Sequence, residues 1–358
     1  MELSLDRAVL RFAQPLRTAH GTLERRELIE LRLTDAGGLV GRGESAPLEP
    51  YDGVSIERTL AALEAYRAAI EAPAGAAAGG GPGAAAGGAR GGGDGSTLLD
   101  RCREIDDLPQ ALAAVDMALW DIAGKRAGRP VCELLSDAPA ETVAVNASIA
   151  ADAPELAARA AAAAVAAGYS CVKLKVGTAE DAERVAAVRS AIGAQTTLRL
   201  DANGAWSLEE AERMLAALAR HGLELVEEPV HGLAETRALR ERVTVRIAID
   251  ETAAIAGALT ARIADAVCLK ISRCGGIGGL LAAAALVRAS GAEVYLSSTY
   301  DGPLGIAAAL HAAAALAPLP ACGLATLGLF AGHGEVLRVV AGEIAVPRGP
   351  GLGVSGLL

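Results

Sequence analysis

Aromatic side chains make up only 3% of this sequence, and alanine takes much of their place. Its helices are therefore expected to pack closely through small side chains. Cysteine is sparse as well. The six cysteines (Cys102, Cys132, Cys171, Cys268, Cys274 and Cys322) form no CxxC pair, which argues against a structural zinc site or a disulfide framework. Cys171 and Cys268 fall inside apolar runs and read as small buried hydrophobes. An excess of basic residues is missing too: the formal net charge is -10 and no basic stripe offsets it, so a nucleic-acid backbone is not the expected partner. No early run combines basic residues, a long apolar stretch and a small-residue cleavage site. The alanine-rich stretches are interrupted by charges and glycines, so neither a signal peptide nor a membrane span is expected, and the default location is cytoplasmic. What the chain has is apolar bulk. With 358 residues, 52% of them hydrophobic, it can bury the core of one large barrel or of two domains.

Residues 1–60 alternate as antiparallel strands do. Leu28-Ile29-Glu30-Leu31-Arg32-Leu33 has period two and is followed by the turn signal Asp35-Ala36-Gly37-Gly38. Helical periodicity follows at 57–70 and 107–126. Between them, 73–96 is almost pure glycine and alanine and lacks the apolar bulk to offset the entropy of ordering, so a flexible surface insertion is expected. A phosphate-binding loop would need a preceding strand and a following Lys-Ser/Thr, and the segment has neither. From Val143 the pattern becomes strand, helix, strand, helix. Val143-Ala144-Val145-Asn146-Ala147 opens it, and helical stretches fall at 154–167, 181–192, 208–221, 233–243, 254–264 and 277–290. Cys322-Gly323-Leu324-Ala325-Thr326 supplies a last short run. Eight strands, with these helical stretches in the seven intervals between them or room for one, favour a closed parallel barrel over an open doubly wound sheet. The expected class is α/β, a modified TIM barrel (β/α)7β at 140–328. An α+β capping domain at 1–135 would be completed by the tail 329–358.

Six of the apolar runs end in polar groups. They are Cys171-Val172-Lys173-Leu174-Lys175, Leu198-Arg199-Leu200-Asp201, Leu225-Val226-Glu227-Glu228, Ile247-Ala248-Ile249-Asp250, Val267-Cys268-Leu269-Lys270 and Val294-Tyr295-Leu296-Ser297-Ser298. A lone charge at the end of a buried strand is costly, because its desolvation must be offset by a partner. Recurring endings therefore point to a ring of charges around one site, at the C-terminal strand ends where barrels carry their active sites. Strand parity puts Lys173 with Lys175 on the inward face, and Arg199 with Asp201 and Asn203, while Val172, Leu174 and Val176 face the helices. Asp201, Glu227 and Asp250 end consecutive strands, although parity alone does not choose between Glu227 and Glu228. Three convergent carboxylates stay ionised only beside a cation. An all-oxygen donor set points to Mg2+, with Mn2+ or Ca2+ possible, while a network of lysine–carboxylate pairs is the structural alternative. An ammonium beside a dication should have a lowered pKa, so Lys175 and Lys270 are candidate general bases on opposite sides of the ion. The matching chemistry is removal of a proton α to a carboxylate, with the ion stabilising the enolate that results.

The motifs Lys173-Leu174-Lys175, Leu200-Asp201-Ala202-Asn203-Gly204, Val226-Glu227-Glu228-Pro229, Ile249-Asp250-Glu251-Thr252 and Leu269-Lys270 followed by Gly275-Gly276-Ile277 together resemble those of the enolase superfamily, in its muconate-lactonizing subgroup. Gly41-Arg42-Gly43-Glu44 and Ala114-Val115-Asp116-Met117-Ala118-Leu119-Trp120-Asp121 extend the resemblance into the first domain. It implies Mg2+ ligation by Asp201, Glu227 and Asp250, base roles for Lys175 and Lys270, and Lys173 as modulator of their pKa. It also implies specificity loops near 16–26 and 46–54, with Tyr51 facing the substrate and His20 exposed. Ser297 to Ile306 and Pro320 to Thr326 resemble the seventh- and eighth-strand regions of o-succinylbenzoate synthases, so dehydration is the first expectation for the second half-reaction. Muconate-type cycloisomerisation and N-acylamino acid or dipeptide racemisation are the alternatives. The eighth-strand region lacks the Asp-x-Asp that would hold a dipeptide's ammonium, and Tyr300-Asp301 stands where muconate cycloisomerases place a Glu. A small-molecule carboxylate substrate and a homo-oligomer are expected. Two remoter readings are a Schiff-base enzyme using Lys175 or Lys270, which would need no metal, and a non-catalytic ligand-binding barrel.

Overall fold

In the computed structural model the described residues are 1–18, 21–72 and 93–357. The period-two alternation becomes an antiparallel meander of β1 (Glu2–Thr18), β2 (Gly21–Thr34) and β3 (Val40–Ser45). Ile29, Leu31 and Leu33 face one side of it and are buried against α2 (Ile56–Glu71), which follows the single turn α1 (Glu49–Asp52). Then come α3 (Gly93–Ile105), α4 (Pro109–Ala127) and α5 (Val131–Leu135). Ser55 caps α2 by accepting from the Arg58 amide at 3.0 Å, and Gly128 ends α4 at φ +65°. Gly43 is glycine because β3 lies on α4: a Cβ there would stand 1.9 Å from the Ala114 carbonyl oxygen. Most of the expected glycine-alanine insertion lies outside the described residues. Its last part, Gly93 onward, is the start of α3 rather than loop.

The second half is a parallel sheet in the order β11-β10-β9-β8-β7-β6-β5. Along the chain, β4 (Thr142–Ala144), β5 (Ala147–Ile149), α6 (Pro154–Ala166), β6 (Cys171–Lys175), α7 (Asp181–Ile192) and β7 (Thr197–Asp201) come first. They are followed by α8 (Leu208–Leu218), β8 (Leu223–Glu227), α9 (Leu233–Arg240), β9 (Ile247–Ile249), β10 (Ala266–Leu269), α10 (Ile277–Ala289), β11 (Glu293–Leu296) and α11 (Pro303–Leu316). Val172, Leu174 and Val176 meet Val185 and Val188 of α7 in one apolar layer, so the other face of β6 points inward, as parity requires. A short eighth stave closes the ring. The Cys322 amide donates to the Ala144 carbonyl at 2.8 Å on one side, and the Gly323 amide to the Leu296 carbonyl at 2.7 Å on the other. The fold is the expected α/β modified barrel with seven full strands and this closing segment.

Two local expectations are corrected. The run Val143 to Ala147 is divided between sheets. Its first part pairs with β13 (Glu343–Ala345), itself paired with β12 (Val339–Val340), while Ala147 begins the barrel. The stretch 254–264 is not an α-helix. Three-residue turns satisfy its backbone locally (Ile255 amide to Thr252 carbonyl, Ala258 amide to Ile255 carbonyl, both 3.0 Å), and Gly257 at φ +84° interrupts any continuation.

The two layers are joined through buried acids. Asp116 of α4 accepts from the Ile277 and Gly278 amides at the start of α10, while Asp121 ties the C-terminal tail to β3 by accepting from the Leu352 and Arg42 amides at 2.9 Å each. Glu44 reaches the start of α11 and accepts from the Gly302 amide at 2.6 Å. Burial pushes the Glu44 carboxyl up to about 8; the neighbouring Asp301 adds to this and Arg26 opposes it. A raised acid pKa contributes stability that is full below the ordinary 4.5 and is lost as the pH rises through about 8. Glu44→Gln, which stays neutral, should therefore lose less of its melting temperature between pH 6 and pH 8.5 than wild type does. Wild type should melt distinctly lower at the higher pH. Parallel shifts in thermal unfolding of the two proteins would show that Glu44 is not the titrating group.

Candidate active site

The inward ends of β6 to β10 bring the expected charges together. In register across the sheet, Lys175 lies beside Asp201 and Asp201 beside Glu227. Lys173 is buried between two acids, 2.9 Å from Asp201 Oδ2 and 2.5 Å from Glu227 Oε1. Lys175 holds Asp201 Oδ2 at 2.6 Å and donates to Asn203 Oδ1 at 2.7 Å, and its side chain is 32% exposed toward the mouth. Lys270 pairs with Asp250 from the other side and is only 7% exposed. Above it lies Tyr51, from the helical turn α1 that follows β3. Its hydroxyl donates to Asp250 Oδ1 at 2.8 Å, accepts from Lys270 Nζ at 2.6 Å and from Arg273 at 2.7 Å, and Lys270 Nζ stands 4.3 Å from the ring centre. Tyr51 thus faces the site, as expected. Of the other segments named with it, Leu16 and Leu23 pack on the core, and His20 lies outside the described residues.

Glu227 and Glu228 separate cleanly. Glu227 points inward to Lys173, whereas Glu228, at φ +41°, turns away and accepts from the Asp250 amide at 2.8 Å and the Thr252 amide at 3.0 Å. Burial, with Glu251 adding to it, pushes the Glu228 carboxyl up to about 8. It holds the turn that carries Asp250. Asn203 and Tyr300 share the left-handed backbone at φ +46° and +58°, so these non-glycine departures fall just past the ends of β7, β8 and β11.

Lys173 and Lys270 are governed by their acid neighbours. Burial alone would lower Lys173 and Lys270, but Asp201 and Glu227 beside the first and Asp250 beside the second raise both well above the ordinary lysine value. The lowering expected from the sequence supposes a dication standing between ammonium and carboxylate; here they touch directly. Among the acids, Asp201 is held low by Lys173 and Lys175 against the effect of burial. Glu227 is raised by burial and by Asp201 and Asp250 in spite of Lys173. The cluster is therefore short of positive charge at Glu227. Ligand atoms of Glu227, Asp250 and Cys268 lie within 4.8 Å of one another, all buried, which makes this a candidate metal site. Its carboxylate oxygens suit a hard divalent ion.

Several inward residues were missed from the sequence. Tyr295, 1% exposed, donates to Glu227 Oε2, and the Arg199 guanidinium stacks 5.0 Å from its ring centre. Cys268 sits beside the acids rather than in the apolar layer against the helices. Both obey the parity applied to the charged endings: Tyr295 is two residues before Ser297, and Cys268 two before Lys270. Arg26 is also buried and fixes the 46–54 loop, donating to the Ala46 and Pro47 carbonyls at 3.1 and 2.7 Å.

A parallel barrel with acids and lysines at its strand ends, capped by a meander and a following helical turn whose tyrosine reaches the site, defines a class. The enolase C-terminal domain-like family model matches residues 155–356, and the mandelate racemase / muconate lactonizing enzyme N-terminal domain model matches 97–136. The chain belongs to the enolase superfamily, in its mandelate racemase/muconate lactonizing enzyme group, and is an enzyme of it. It is 41% identical over 224 residues to an o-succinylbenzoate synthase of Thermobifida fusca, covering 58% of this chain and 68% of that one. It is 29% identical over 326 residues to a hydrophobic dipeptide epimerase of Enterococcus faecalis, covering 87% and 86%. A crystal structure of the dipeptide epimerase from Enterococcus faecalis, complexed with Mg and the dipeptide L-Leu-L-Tyr, superposes with a TM-score of 0.86 at 26% identity, over 99% of each chain. Among the described residues, no helix is long and apolar enough to cross a membrane.

Proposed function

We propose that this enzyme removes the proton α to the carboxylate of a small-molecule substrate and then expels water, in the manner of an o-succinylbenzoate synthase. The observation that carries this reading is the placement of two lysines, Lys175 and Lys270, on opposite flanks of one acid cluster. Asp201, Glu227 and Asp250 would hold Mg2+, or Mn2+ in its place. When bound, the ion would offset the negative charge that builds on the substrate carboxylate as the proton leaves. Lys175, the more open of the two, takes the proton. Lys173, locked between Asp201 and Glu227, supplies fixed positive charge behind it. Lys270 faces the other side of the substrate and either stabilises the anion or assists departure of the leaving group. Tyr51 and its loop close the mouth and keep water from the reacting carbon. Division into a cap (1–135 with 329–358) and a catalytic barrel (140–328), assembly as a homo-oligomer and a cytoplasmic location belong to the same proposal.

Racemisation or epimerisation is the second reading, because two opposed bases suffice for it and an epimerase is among the relatives. The eighth-strand segment counts against a free ammonium on the substrate. It carries no acid from Cys322 to Thr326, and Thr326 is bonded to Ser298 at 2.9 Å. The deciding experiment offers the o-succinylbenzoate precursor, N-acylamino acids, dipeptides and muconates in turn, in deuterated water with Mg2+. Dehydration of the first at a rate well above α-deuteration of the others supports the proposal. Efficient epimerisation of dipeptides with no dehydration would replace it with the second reading.

Tyr295 offers a finer check. Its hydroxyl donates to Glu227 Oε2 while Lys173 holds Oε1, so the two together orient the carboxylate that would bind an ion. Tyr295→Phe should weaken Mn2+ binding about 10- to 100-fold, the usual effect of losing a group that orients a metal ligand. Titration followed by electron paramagnetic resonance measures this directly, and unaltered affinity would show that Glu227 needs no such support.

A further inference from the structure

We infer that Cys268 is an inner ligand for a thiophilic divalent ion, Zn2+ or Co2+, in the acid cradle; the inference rests on the metal reading proposed above. Cys268 precedes Lys270 by two residues at the inward end of β10, so its side chain enters the barrel. It is 2% exposed, and among the described residues its sulfur has no hydrogen-bond partner, whereas the Cys322 sulfur has one at 3.5 Å in the Pro320 carbonyl. Its sulfur, a Glu227 oxygen and an Asp250 oxygen lie within 4.8 Å of one another. Asp201 is not part of that trio; Glu227 and Asp250 are, like it, held by lysines, Lys173 and Lys270.

Bonds of about 2.0–2.2 Å to oxygen and about 2.3 Å to sulfur put the donors of a tetrahedral ion about 3.3–3.7 Å apart. The observed spacing therefore needs only small shifts to close around one. A set of two oxygens and one sulfur favours borderline-soft ions over Mg2+, which has little affinity for thiolate. As the ion binds, the S–H bond breaks, both electrons stay on sulfur to form the S–metal bond, and the proton leaves to water. Zn2+ would then compete for the cradle instead of being ignored by it. A buried thiol that merely filled space would have no reason to alter the choice of ion.

The test compares Co2+ complexes of wild type and Cys268→Ser. Wild type should bind one Co2+ and show a sulfur-to-cobalt charge-transfer band in the near ultraviolet. Cys268→Ser should still bind Co2+ but without that band. Its affinity for Co2+ and Zn2+ should fall about tenfold or more while its affinity for Mg2+ stays the same. Wild-type Co2+ complex without the band, or a band that persists in Cys268→Ser, overturns the inference and leaves the carboxylate cradle intact. Failure of wild type to bind Mg2+, Mn2+ and Co2+ alike overturns the cradle itself, and the ligand role of Cys268 with it.

Discussion

Lys175→Ala should abolish exchange of the α-proton from one face of the substrate and slow turnover about 10²- to 10⁴-fold, the contribution usual for a positioned general base. Lys270→Ala should abolish exchange from the opposite face. The two are not equivalent in structure, and this makes the comparison informative. Lys175 is 32% exposed and contacts Asp201 and Asn203 at the mouth. Lys270 is nearly buried and is the cation paired with Asp250. Removing it leaves a buried carboxylate unpaired, which is destabilising by itself. Lys270→Arg, which keeps the charge, therefore belongs in the set: it should recover the fold of the alanine variant but not its missing exchange. Proton NMR of the substrate in deuterated water reads each face separately, and circular dichroism confirms folding. Exchange from both faces at wild-type rates in both alanine variants would sink the two-base mechanism.

The cluster of acids and lysines was legible in the sequence because β-strand parity is simple. A strand end with Lys-x-Lys must send both polar groups to one side, and the apolar alternates Val172 and Leu174 fix which side is inward. The same rule applied to uncharged residues would have found Tyr295 and Cys268, but nothing in a tyrosine or cysteine inside an apolar run announces an inward direction until a partner is known. Glu227 and Glu228 could not be told apart because the strand ends between them. Glu228 leaves the pleat at φ +41°, where period two no longer holds. The missing helix at 254–264 failed for a related reason: alanine-rich spacing mimics helical periodicity, while the local turns and Gly257 decide the backbone.

Chelation should have an effect as large as loss of either lysine. Exhaustive dialysis against EDTA should reduce turnover of any accepted substrate to background, and Mg2+ or Mn2+ should restore it. Asp250→Asn should behave like the chelated enzyme even with the ion present at millimolar levels. Asp250 is the pivot of the site: its side chain meets both Lys270 and the Tyr51 hydroxyl, and its amide is held by Glu228. Asparagine keeps the shape and the link to Tyr51 but removes one of the negative charges that attract a cation, and it leaves Lys270 without its counter-ion. Affinity for Mn2+ should then fall more than the about 10- to 100-fold expected where only a supporting group is lost. The lysine network offers the contrasting outcome. If Asp201, Glu227 and Asp250 served only to neutralise Lys173, Lys175 and Lys270, EDTA would leave activity intact. Asp250→Asn would lower the melting temperature without altering any ion-binding isotherm. Measuring isotherm and melting curve on the same variant separates a cradle for a cation from a set of ion pairs, because only the cradle couples charge at Asp250 to metal affinity.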